Sequence, residues 1–132
     1  MAIYTGMSSD PTLNGYLSLI RTAEYGSDAR SAMANAVQRC YQLAVEAHGG
    51  NANGISQDTI SAKNNRIMHA YYGDTVRDAF ADGIRSCYIA RGISFTVNAG
   101  YIRNELINAQ LGEELKNAIM KSIVQCCHDV WG

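Results

Sequence analysis

The chain has 132 residues, with 11 Lys+Arg against 12 Asp+Glu for a formal net charge of −1. That balance excludes the basic excess of a dedicated nucleic-acid binder and the polybasic patch of a membrane-surface protein. Hydrophobic residues (47%) suffice for a packed core, and a charged fraction of 17% is below the roughly 25% of an average soluble domain, as expected where neighbours cover part of the surface.

The first predicted element opens at Asp10-Pro11, an N-cap followed by an N1 proline. Leu13, Tyr16, Leu17 and Ile20 then recur at helical spacing. A tight turn at Gly26 follows, where glycine is expected to take the left-handed conformation that ends the helix. A second helix, N-capped by Ser27, carries Ala29, Met33, Ala36, Val37, Cys40, Leu43 and Ala44 on one stripe. His48 closes it, ahead of a polar Gly/Asn-rich insert over residues 48–53.

The next pair runs from Asp58 to Ala70, turns at Gly73, and continues after an Asp74 N-cap with Val76, Phe80, Ile84, Cys87 and Tyr88. Ile93, Phe95 and Val97 alternate, leaving a short strand open before a third first-helix from Asn98 to Ala109. A turn at Gly112 leads into Leu115, Ile119, Ile123, Cys126 and Val130. Glu113 is a poor cap whose charge suits the positive helix end.

These pairs are copies of one unit. Residues 20–41 and 67–88 align without a gap and are identical at nine of 22 positions, among them Tyr25/Tyr72, Gly26/Gly73, Arg30/Arg77 and Cys40/Cys87. Residues 106–127 form a diverged third copy with Gly112, Lys116 and Cys126 in register. The reading is therefore all-α: one domain, 1–132, of three helix-turn-helix repeats (6–47, 54–91, 92–130), about six helices packed as a short solenoid or a pseudo-threefold bundle. Small residues in the second helices (Ala32, Ala34, Ala36, Ala79, Ala81, Gly83, Ala118, Ser122) would let helices approach closely and leave room for partners.

Candidate chemistry is sparse. Cys40, Cys87 and Cys126 share a column that a pseudo-threefold fold would bring to a common axis, with Cys127 or His128 as a conceivable fourth zinc ligand. No C-x-x-C knuckle accompanies them, and a buried core thiol column is the expectation. None of the three histidines recurs across repeats or has a triad partner at motif spacing. Arg30, Arg77 and Lys116 recur one turn into each second helix, as anchors for anions or as salt bridges or caps beside their own turn. Tyr25 and Tyr72 flank the turn glycine, and Tyr41 and Tyr88 follow the column cysteine, at the core edge or in subunit contacts. The second helices begin Ser27-Asp28, Asp74-Thr75 and Glu113-Glu114, which would repel phosphate, so helix-turn-helix DNA binding is rejected. The expectation is no enzyme, cofactor or metal, and turn and interface roles for Tyr25, Gly26, Arg30, Tyr72, Gly73, Arg77, Gly112 and Lys116.

Residues 20–34, IRTAEYGSDARSAMA, with residues 70–81, AYYGDTVRDAFA, resemble a short motif, I-R-x-A-x-Y-G-x-x-V-R-x-A, found near the N-terminus of tail-fibre or baseplate-type minor structural proteins of phages and prophages of Firmicutes. The third copy departs from it, with Leu111 for the tyrosine and Lys116 for the arginine. Those proteins usually carry the motif once, before a long repetitive region. Its three copies here imply an attachment or adaptor module. The resemblance thus implies a structural virion protein, made in the host cytoplasm. Its partners would be other virion proteins, as a homo-oligomer or docked on a symmetric assembly, without nucleic acid or membrane. The alternative is a small phage-encoded helical binding protein or inhibitor acting on a host protein. No run approaches the ~18 apolar residues of a membrane span, and Met1 to Gly6 lacks the basic and apolar regions of a signal peptide.

Overall fold

A computed structural model describes residues 3–23, 26–70, 73–109 and 112–132, with backbone alone at 73 and 74. Six helices make up the described chain: α1 (Pro11–Thr22), α2 (Gly26–Ala47), α3 (Gln57–Met68), α4 (Gly73–Arg91), α5 (Val97–Asn108) and α6 (Gly112–Val130). No strand occurs among the described residues. Residues 93–96 are irregular, and Val97 opens α5 behind a Thr96 N-cap whose side chain accepts from the Ala99 N–H. The alternation of Ile93, Phe95 and Val97 is overridden because Thr96 starts a helix and the described residues offer no partner strand.

The first helices of the three pairs are each 12 residues long. Asp10, Ser56 and Thr96 cap their N-termini through side-chain oxygens, satisfying donors that the helix itself leaves free. At the other ends the left-handed glycine is absent. Ala23 and Ala109 terminate α1 and α5 in the same extended conformation, φ −64°, ψ 130°. Gly26, Gly73 and Gly112 instead open the second helices, so Ser27 lies inside α2 and is not its N-cap, nor does Asp74 precede α4. Left-handed glycines do exist, at the far ends of the second helices. Gly49 and Gly50 follow α2, Gly92 (φ +80°) follows α4, and Gly132 follows α6. At Gly92 the Ile93 N–H reaches back to the Tyr88 carbonyl, the return bond of a Schellman cap.

The long helices α2, α4 and α6 all pack on one another. Each short helix lies on its own long helix and on one more: α3 on α4 and α2, α5 on α6 and α4, α1 on α2 and α6. One apolar core spans all six helices. Its repeat columns are uniformly buried: Leu13, Ile60 and Ala99; Ile20, Ile67 and Leu106; Met33, Phe80 and Ile119; Val37, Ile84 and Ile123. Each large member contributes about 1.5–3 kcal/mol on leaving water. The small residues work inside this core. A Cβ on Gly83 would sit 3.2 Å from Val37 Cγ1, so α4 approaches α2 as closely as the missing side chain permits. Ala32, Ala36, Ala79 and Ala118 are buried.

Candidate interaction surface

The recurring cation of each long helix reaches a helix-end carbonyl of another pair. Arg30 Nε donates to the Met68 carbonyl (3.2 Å), Arg77 Nη1 to the Ala109 carbonyl (2.7 Å), and Lys116 Nζ to those of Ala23 (2.8 Å) and Arg21 (3.5 Å). These carbonyls end α3, α5 and α1, where four C=O groups lack intrahelical partners and the helix dipole favours a cation. The capped helix belongs to the following pair, with the third pair returning to the first. These bonds reach another pair, which the expectation of a cap on the preceding helix did not include. They also explain why no left-handed glycine is needed there: Ala23 and Ala109 leave the helix extended, and the cation takes the carbonyl that a glycine turn would have satisfied. Gly26 begins α2 under Arg30, and an added Cβ would meet Arg30 Nη1 at 2.9 Å. Tyr25, Tyr72 and Leu111 lie outside the described residues.

The thiol column converges in the core. Cys40, Cys87 and Cys126 are each fully buried and free. Burial, followed by hydrogen bonding to Cys40 and Cys87, pushes the Cys126 thiol well up. Cys40 is raised as well: a hydrogen bond with Cys126 pulls it down, but burial and the neighbouring Cys87 outweigh that pull. The Cys87 Sγ faces the Val37 and Gly83 carbonyls at 3.5 Å. Among the described residues no group of three or more His, Cys, Asp or Glu side chains is arranged to hold a metal ion. Thiols kept protonated by a dry environment are packing groups and poor nucleophiles. Cys127 is also raised by burial, and its Sγ lies 4.0 Å from Ser9 Oγ.

The column after the cysteine fastens the lead-in to the next pair. Buried Tyr41 donates its hydroxyl to the Ile55 carbonyl (2.6 Å). Tyr88 packs edge-on against Phe95, with ring centroids 4.5 Å apart. Its hydroxyl donates to Asp129 Oδ2 at 2.6 Å, and burial leads the causes that raise its pKa. Both tyrosine rings are buried in the core. His48 stays in the loop, its Nδ1 2.7 Å from Asn51 Oδ1.

Two elements escaped the sequence reading. The first is a buried ion pair: Asp10, 2% exposed, accepts from Arg39 Nε (2.9 Å) and Nη2 (2.8 Å) while capping Leu13. Arg39 hydrogen bonding holds the Asp10 carboxyl below its usual range, with the Leu13 N–H helping and burial opposing. The second is the N-terminal arm. Its Tyr4 N–H donates to Asn117 Oδ1 (2.7 Å), and Arg21 donates to the Tyr4 and Gly6 carbonyls (2.8 and 3.4 Å).

On the surface, each pair has a corner where its short and long helices meet. The α3–α4 corner is closed by Arg66 and Lys63 on Asp82 (3.7 and 2.7 Å). The α5–α6 corner carries Lys121 on Glu105 (3.6 Å), in the same repeat columns as Asp82 and Arg66 with the charges exchanged. Aligned repeats thus carry a visible signal, opposite charges that trade places between columns. In the α1–α2 corner those columns hold Leu19 and Asn35. A groove of about 460 Å³ remains there, lined also by Thr22, Asp28, Ser31 and Ala32. A second exposed apolar patch lies on α5, where Val97 and Tyr101 are 75% and 68% exposed.

No protein-family model, curated protein or solved structure matches this chain.

Proposed function

We propose that this chain is a non-enzymatic structural component of a phage virion, a tail, baseplate or neck adaptor made in the host cytoplasm and acting through helix-face contacts. The observation that carries the reading is the phage-type motif recurring in successive helix pairs. Support comes from the way these pairs close: α1 returns to α6, and Lys116 of the third pair caps α1 of the first. The packing we infer is a closed pseudo-threefold bundle rather than an open solenoid. Such a chain is a covalent pseudo-trimer, able to sit on a threefold axis as one copy while presenting three non-identical corners to its surroundings. Its work is burial of surface against neighbours, with no turnover.

A binding protein or inhibitor acting on a host protein is the second reading. The α1–α2 corner favours it, because a groove without an ion-pair bridge on one pair suits one partner better than a ring.

Native mass by light scattering across a concentration series, with metal content read on the same peak, separates these. A discrete multiple of 14.4 kDa, stable on dilution and free of metal, is expected for a self-assembling ring component. A monomer at all concentrations removes self-assembly and leaves the single-copy adaptor or the host-protein binder. Stoichiometric metal would overturn the purely packing role of the thiol column.

A further inference from the structure

We propose that the open α1–α2 corner is a docking site for an extended segment of a partner protein that carries a large apolar side chain with a cation beside it. The site is independent of whether the chain belongs to a virion. The three corners share their repeat columns but are finished differently. Two are bridged by ion pairs between short and long helix. The α5–α6 corner also receives a chain segment: the extended arm passes Tyr4 along its groove and gives the Tyr4 N–H to Asn117. The repeat equivalents in the first pair are Leu19 and Asn35 for the ion pair, and Ser31 for Asn117. Ser31 keeps an oxygen able to accept a backbone N–H at that point.

The α1–α2 corner is thus the seat without its occupant and without its bridge. Leu19, at 56% exposure, is among the most exposed apolar side chains of the described residues. It would be covered by an apolar side chain laid on Ala32. Asp28 is exposed and has no ion-pair partner among the described residues, so a segment with Lys or Arg next to its apolar residue is matched in charge. The arm of a second copy fits less well. Its own seat depends on Arg21 donating to the Tyr4 and Gly6 carbonyls, and the equivalent of Arg21 beside the open corner is Met68, which has nothing to donate.

The test is a titration of the full-length, isotope-labelled protein, followed by amide chemical shifts. The probe is an acetylated and amidated peptide, Lys-Ile-Tyr-Thr-Gly-Met, which places a cation ahead of the arm's own residues. Saturable shifts are expected at Leu19, Ser31 and Ala32, with a Glu-headed peptide binding about fivefold more weakly, as one surface charge pair turns repulsive. The double variant Leu19→Glu, Asn35→Lys removes the exposed Leu19 side chain on which the apolar contact depends and installs the charge pair of the α5–α6 corner. It should keep the helical content and Tm while abolishing binding. Asp28→Lys should reverse the peptide preference without touching the corner's apolar floor. Shifts confined to Arg21 and Asn117, meaning the peptide only displaces the arm, would overturn the proposal. So would binding that survives the double variant, no saturable shift, or corner shifts that follow protein concentration without peptide, which would make the occupant a second copy.

Discussion

Replacing Asp10 tests the one charged side chain buried among the described residues. Its carboxylate does two things: it caps α1 at the Leu13 N–H, and it holds both donors of Arg39 on α2. The substitutions Asp10→Asn and Asp10→Ala separate these. Asparagine caps about as well as aspartate, so Asp10→Asn removes mainly the charge-assisted pair. Arg39 keeps 30% of its side-chain surface in water and can be partly resolvated, so the expected cost is about 1.5–2 kcal/mol. Asp10→Ala adds about 1 kcal/mol for the lost cap, about 3 kcal/mol in all. For a chain of this length that is a fall in Tm of roughly 6 °C and 10 °C respectively. The pH dependence has a definite sign. Arg39 lowers the folded-state pKa of Asp10 below its unfolded value of about 4. The stabilisation is therefore fully present above that unfolded value and is lost as pH falls through the folded one. Denaturant titrations followed by circular dichroism at pH 7, 4 and 2.5 should show wild type and Asp10→Asn converging in acid. A gap below about 0.3 kcal/mol at pH 7, or one unchanged at pH 2.5, would refute the reasoning. So would a double-mutant cycle with Arg39→Met that shows no coupling.

Removing a capping cation should loosen the junction between pairs: Lys116→Met is expected to cost about 1–2 kcal/mol by chemical denaturation. Hydrogen exchange should rise first at the end of α1, not at the start of α6. The thiol column should be silent to a disulfide reagent in the native state and should react fully in denaturant, as time-resolved absorbance will read. Cys126→Ser, which puts a hydroxyl where Cys40 and Cys87 offer only thiols, should be less stable than Cys126→Ala by about 1–2 kcal/mol. Gly92→Ala forces a side chain into a left-handed backbone and to 3.0 Å from His48 Nε2. About 1–2 kcal/mol should be lost in thermal melts.

The helix stripes were legible because a period of three and four survives in every copy. Thus Leu13, Ile20, Met33, Val37 and their equivalents are buried as read. The helix starts at Asp10-Pro11 and the break at residues 48–53 were legible for the same reason: local chemistry decides them. The turn glycines misled. Glycine before a helix and glycine after one look alike in sequence, and the deciding partner, a cation 32 or more positions away, is invisible to a local rule. Thr96 likewise defeats the Ile93–Val97 alternation, since a cap acts within three residues while a strand needs a partner to pair with. Among the site residues, Arg30, Arg77 and Lys116 were found by recurrence, but their targets required the three-dimensional order of the pairs. Leu19 drew no notice as a surface residue, because in one dimension it extends the apolar stripe of α1.

The cations that cap the following pair give the molecule no outer repeat. In a linear array, the terminal unit has a single neighbour and can peel away first. Here α1 is held by Lys116 just as α5 is held by Arg77, and Ser9, just ahead of α1, meets the far end of α6 where its Oγ donates to the Gly132 carbonyl at 3.2 Å. Opening the loop after α2 and joining Gly132 to Ser9, with the arm left off, would cut one connection and create another at points that already touch. Such a permuted chain should unfold in one step, as the parent should, because no pair can leave without uncapping its neighbour and losing its own cap.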